Sequence, residues 1–178
     1  MQNIISLSMS REQFIKNKGK IDYDKPVTCS CCGRNGTLHR HGVYWRNTVE
    51  DDSEERIPIQ RFFCIYCNHT ISLLPSFCVP HFQYSAEFIL KAIGMALASI
   101  IATLEVRLKS LFRFYKKRFI KNLPLSEVFL RSFNSDYDLP LNEKEKTTKI
   151  YQDLISRPGA ETIFQQFLNH LNKHFMAR

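Results

Sequence analysis

Two pairs of cysteines, Cys29 with Cys32 and Cys64 with Cys67, constrain this chain more than any other feature. Each pair has two residues between its members. That spacing lets one tight turn aim both sulfurs at a common point, and Gly33 supplies the backbone freedom such a knuckle needs. Two knuckles joined by a hairpin bring four thiolates together in a closed tetrahedron, the usual structural zinc site. The spacing therefore predicts one Zn2+ on Cys29, Cys32, Cys64 and Cys67. Three departures from that set stand beside it. Cys31 could replace Cys32, one of His39, His41 or His69 could serve as a ligand, or the pairs could be buried or redox-active thiols. Cys31 next to Cys32 is read as a spectator, because adjacent side chains point apart, and Cys78 as a small core residue. A site closed by four sulfurs has no open position for water, so its role is in folding rather than hydrolysis.

Six cysteines in 178 residues would suit disulfides in a secreted chain. Met1 to Ser10, however, lack the basic start and long apolar run of a secretory signal. Close pairs read as metal ligands in a reducing compartment, so the expected location is the cytoplasm. Phe88 to Leu104 is almost wholly apolar, but it carries Lys91 and falls short of the roughly 20 residues that span a bilayer. A buried helix, and no membrane, is expected there.

Four segments follow from the patterning. Residues 1–25 read as a leader with a short helix, capped by Ser10 and Gln13, docked by Phe14 and Ile15, and ended by Gly19. Residues 26–80 lose helical periodicity and predict a zinc-ribbon β-hairpin. One arm holds Val43-Tyr44-Trp45, the other Ile57 to Phe63, and an acidic turn from Glu50 to Glu55 joins them. Residues 81–123 turn helical at Ser85, with Phe88, Ile89, Ala92, Ile93, Ala96 and Leu97 on one face. A second helix runs from about Leu104 to Asn122 and is stopped by Pro124. Residues 124–178 predict further helices: one capped by Ser126, one opened by Asn142 and Glu145, and a last one carrying Ile163, Phe164, Phe167, Leu168, Leu171 and Phe175. The fold class is α+β, a ribbon hairpin followed by a helix-turn-helix-like all-α region.

The basic character is local. The chain carries +8, and the window from Glu105 to Lys121, with seven cations and one acid, carries +6 of it. Arg107, Lys109, Arg113, Lys116, Lys117, Arg118 and Lys121 interleave with Leu104, Leu108, Leu111, Phe112, Tyr115 and Phe119 at three- and four-residue steps. One face then suits a core and another suits phosphates, as in a helix laid in the DNA major groove. The competing readings are a plain solvated face and a membrane-surface helix.

Further residues extend the pattern. His41-Gly42-Val43-Tyr44-Trp45-Arg46 follows the first knuckle, Ile57-Pro58-Ile59-Gln60-Arg61-Phe62-Phe63 leads into the second, and Thr70-Ile71-Ser72-Leu73-Leu74-Pro75 follows it. This stretch resembles the zinc-ribbon and helix-turn-helix domain of transposase-related bacterial proteins from mobile elements, over about residues 26–122. The resemblance implies a ribbon and helix-turn-helix that grip double-stranded DNA. Carried over by position, the ligands are Cys29, Cys32, Cys64 and Cys67. His41, Arg46 and Arg61 fall where they would touch phosphate or serve the ribbon's structure. The helix at 104–121 falls at the recognition helix. After residue 122 only 56 residues remain, too few for a nuclease domain with three separated carboxylates.

No enzyme is expected. Asp136, Asp138, Glu143 and Glu145 read as turn and capping residues. No phosphate-binding glycine loop or Gly-x-Ser-x-Gly elbow is present. His170 and His174 lack the glutamate of a metalloprotease helix and read as solvated. The expected function is a zinc-stabilised DNA-binding accessory factor, regulator or transposase remnant. The alternative is a zinc-stapled protein-interaction module. The last amphipathic helix either closes the core or forms a homodimer seam.

Overall fold

The structure, a computed structural model, describes residues 2–5, 11–17, 23–50, 53–157, 160–171 and 176, without the side chains of 160–162 and 168–170. It is α+β, with a four-stranded sheet in the N-terminal half and mostly helices after it. Two compact units divide at Ser85 and Ala86.

In the first unit the strands are Gln2–Ile5 (β1), Leu38–Glu50 (β2), Ser53–Cys64 (β3) and Thr70–Pro75 (β4), ordered β1-β4-β3-β2. The expected hairpin is β2 with β3, antiparallel from Leu38 opposite Cys64 to Glu50 opposite Ser53. The acidic turn's Asp51 and Asp52 lie outside the described residues. A register shift between Arg40 and Val43 places a bulge at His41-Gly42, where Gly42 adopts φ 73°. Two strands join the hairpin that its pattern did not announce. β4 pairs antiparallel with β3, and β1 pairs parallel with β4, with Gln2 opposite Ser72. Every β4 residue after Thr70 is buried, so it reads as a continuous apolar run rather than an alternating one. The leader segment thus supplies an edge strand. It also supplies a helix, Arg11–Lys16 (α1), whose buried Phe14 packs edge-on against Tyr23 and Phe77 at 6.4 and 5.5 Å. Its expected cap Ser10 and stop Gly19 lie outside the described residues.

The core of this unit gathers Leu38, Ile57, Ile59, Phe62, Ile71 and Leu74, with Cys29 and Cys64 inside the same cluster. Cys78 belongs to it too, as its small size suggested. Arg46 on β2 has a structural role. Its guanidinium donates to the carbonyl of Val79 at 2.7 Å and to that of Phe82, tying the segment after β4 to the hairpin.

The second unit holds helices Ala86–Leu97 (α2), Val106–Lys121 (α3), Leu123–Arg131 (α4), Glu143–Ile155 (α5) and Ala160–Leu171 (α6). α2 buries Phe88, Ile89, Ala92, Ile93 and Ala96, the face its periodicity gave. Phe88 meets Phe112 of α3 edge-on at 5.8 Å. Pro124 acts differently from expectation. It sits in the first turn of α4 and opens that helix rather than only closing α3, while Ser126 lies buried inside α4 instead of capping it. A proline in a helix's first turn lacks only an N–H that would be unpaired there anyway. Asn142 caps α5 as expected, its side-chain oxygen accepting from the N–H groups of Lys144 and Glu145. Ile163, Phe164 and Phe167 of α6 are buried, with Phe167 stacked on Phe129 at 3.9 Å. The side chains of Leu168 and His170, and the whole of His174 and Phe175, lie outside the described residues. No helix among the described residues is long and apolar enough to cross a membrane.

Candidate metal centre

The two knuckles are built alike. In the first, the Cys29 carbonyl accepts from the Gly33 N–H at 2.8 Å, and the Cys29 N–H donates to the Arg34 carbonyl at 2.9 Å. In the second, the Cys64 carbonyl accepts from Asn68 at 3.0 Å, and the Cys64 N–H donates to His69 at 2.9 Å. Each turn closes through a residue in the left-handed region, Gly33 at φ 71° and Asn68 at φ 57°. Asparagine is one of the few side-chain-bearing residues that tolerate this region. It does for the second knuckle what glycine does for the first, a signal that a search for glycine alone passes over.

These turns bring the four sulfurs of Cys29, Cys32, Cys64 and Cys67 within 4.8 Å of one another. The contacts cross between knuckles: Cys29 lies 3.8 Å from Cys67, and Cys32 lies 3.8 Å from Cys64. A tetrahedral ion bonded to sulfur at about 2.3 Å sets sulfur–sulfur edges of about 3.8 Å. A disulfide would need about 2.05 Å, and all four cysteines are free. The set can therefore hold a metal ion. Cys29 and Cys64 are buried, Cys32 and Cys67 half-buried, so the ion would be largely shielded from water. Among the described residues, neither His39 nor His41 joins a ligating group.

Local hydrogen bonds tune the thiols. The Thr37 hydroxyl, 3.1 Å from the Cys64 sulfur, holds that thiol down at about 6 and favours its thiolate. Burial pushes Cys67 up to about 12. At Cys32 the Arg34 backbone N–H pulls downward, but burial and the neighbouring Cys29 and Cys64 thiols outweigh it, and the net shift is upward. A cation at the centre would reverse these penalties by pairing with every thiolate. The knuckles are also clamped from outside, with the Arg34 guanidinium over the Tyr66 ring at 3.2 Å and bonded to its hydroxyl at 2.5 Å.

The seven cations of α3 divide into two groups. Lys116 Nζ donates to the Ala96 carbonyl at 3.0 Å, and Arg118 Nε to the Met176 carbonyl at 2.6 Å. Lys116 thereby supplies the last turn of α2 with the cation that helix lacks. Arg107, Arg113, Lys117 and Lys121 are exposed and Lys109 half-buried, on the face opposite buried Phe112, Tyr115 and Phe119. Of the ribbon residues that could meet phosphate, His41 is exposed and packs at 5.5 Å from Phe63. Arg61 is half-buried, 5.9 Å from the Tyr44 ring.

Residues 29–113 match a family described as a domain of unknown function (DUF6431). The match begins at the first ligand cysteine and ends within α3, so it takes in both knuckles, the hairpin and part of the cationic helix. No curated protein and no solved structure matches the chain. The likeness to transposase-related proteins is not part of the DUF6431 match, whose description carries no activity.

Proposed function

We propose that the four cysteines hold one structural Zn2+, and that the chain binds duplex DNA through the outward face of α3 as an accessory or regulatory factor related to mobile-element proteins. Four sulfurs and no oxygen or imidazole favour zinc over the harder divalent ions. The single observation that carries the DNA reading is the segregation of charge on α3. Arg107, Arg113, Lys117 and Lys121 face solvent, no ion pair or side-chain hydrogen bond engages the last three among the described residues, and Phe112, Tyr115 and Phe119 face inward while Phe114 is exposed. The connection between α2 and α3 spans residues 98–105, longer than the three- to four-residue turn of a helix-turn-helix. The reading therefore rests on the cationic face rather than on that motif. Thiols kept free for metal suit the reducing cytoplasm, and no catalytic step is part of the reading.

A second reading has its own support. Val27, Ile65 and Tyr66 are exposed around the knuckles, as a protein-interaction module would present them. Salt separates the two. Duplex affinity measured by anisotropy at two ionic strengths should fall steeply with salt. The triple change Arg113→Glu, Lys117→Glu, Lys121→Glu should remove most of that affinity and flatten the salt slope while leaving thermal stability unchanged. Duplex affinity unaffected by the triple change would overturn the α3 assignment.

A further inference from the structure

A second group of ligating atoms adjoins the four-sulfur centre and overlaps it only at Cys67. Cys31 and His69 are exposed, and the Cys31 sulfur, the Cys67 sulfur and a His69 ring nitrogen all lie within 4.8 Å of one another. Local geometry accounts for the grouping. Cys31 lies in the first knuckle beside Cys32, is exposed, and stands outside the four-sulfur set. Asn68, in the left-handed region, folds the chain back so that His69 lies beside Cys67. There the His69 Nδ1 sits 2.7 Å from the Cys67 carbonyl oxygen. A carbonyl only accepts, so this bond places the proton on Nδ1 and leaves the Nε2 lone pair for a ligand. Metal-binding histidines are commonly oriented in this way.

We infer that Cys31, Cys67 and His69 form a second cation position, sharing the Cys67 sulfur with the four-cysteine centre and taking a soft divalent ion such as Zn2+ or Cd2+. The inference rests on the metal reading of that centre. The chemistry is consistent on three counts. Two thiolates and an imidazole are the donors that borderline and soft ions select. A divalent ion on four thiolates leaves two negative charges uncompensated, which attracts another cation to a half-buried sulfur such as that of Cys67. Three protein ligands leave a fourth position for water or an outside donor, unlike the closed neighbouring site. Exposure of Cys31 and His69 makes the second ion the exchangeable one.

The test uses the full chain, reduced, stripped of metal and titrated with Cd2+, with stoichiometry read by native mass spectrometry and ligand type by cadmium NMR. Two ions per chain are expected, the second removed first by a mild chelator. Cys31→Ser and His69→Ala should each bring the count from two to one, with the all-sulfur resonance kept. Both side chains are exposed and outside the four-sulfur set, so an unchanged melting curve will show that the variants fold. A wild-type count of one with the all-sulfur resonance present would overturn this inference and leave the four-cysteine centre standing. Two ions retained in both variants would overturn it as well. A count of zero would remove the centre itself.

Discussion

The two units of this chain reach stability by different routes. The N-terminal unit is a sheet whose central strand β3 is buried on both faces, by Ile57 and Ile59 on one and by Phe62 and Cys64 on the other. Its knuckles hold few large side chains, and Cys29 and Cys64 occupy positions in its core. The C-terminal unit has no comparable thiol cluster among its described residues. It packs on large aromatics, with Tyr115, Phe119, Phe129, Phe164 and Phe167 almost wholly buried. A segment too small to bury enough apolar surface needs another source of folding energy, and a metal held by four thiolates is one. Helices that interlock Phe and Tyr side chains do not need it.

Four outcomes would sharpen or break that contrast. Removing the metal, by chelation or by Cys64→Ser, should have the largest effect, because structural zinc contributes on the order of 10 kcal/mol of coupled folding energy. Amide exchange should then show protection lost across β2 and β3 and retained in α2 to α5. Equal loss in both units would mean that the contrast is wrong. Phe129→Ala should cost the second unit about 3–5 kcal/mol. That change removes the ring stacked on Phe167 and set 5.1 Å from Phe133. Denaturant titration should place the loss in the helical transition, with the metal site's affinity unaltered. Arg46→Ala should cost the first unit about 1.5–3 kcal/mol, the range for hydrogen bonds to a charged group, because the Val79 and Phe82 carbonyls lose their shared donor.

The smallest effect is the most diagnostic in sign. Glycine to alanine inside a helix ordinarily stabilises by about 1 kcal/mol. At Gly94 in α2, an added Cβ would meet the Tyr151 hydroxyl and ring, whose oxygen donates to the Leu90 carbonyl at 2.9 Å. Gly94→Ala should therefore destabilise by about 1–3 kcal/mol, the usual cost of overpacking. A higher melting temperature would show that α2 and α5 are less tightly packed than the geometry implies.

What the sequence disclosed divides along the line between local and distant interactions. The knuckles were legible because two residues between cysteines set a turn by themselves. The faces of α2 and α3 were legible because helical periodicity is a local pattern. The cap of α5 was legible because Asn142 needs only the next three residues. β1 was not, since its partner β4 lies some seventy residues away and no local pattern announces a parallel pairing. Pro124 was ambiguous for another reason: a proline both ends one helix and begins the next. The tight approach of Tyr151 to Gly94 and the return of His69 to Cys67 are likewise long-range or backbone-driven, and no spacing rule contains them. The division of the α3 cations was invisible because Lys116 and Arg118 find carbonyl partners on other segments.

X-ray absorption at the zinc edge, on the full reduced chain loaded with one equivalent of Zn2+, tests the central claim most directly. Convergence of the two knuckles predicts a single shell of four sulfurs at about 2.3 Å. A shell containing nitrogen or oxygen at about 2.0–2.1 Å, or a chain that retains no zinc, would contradict it.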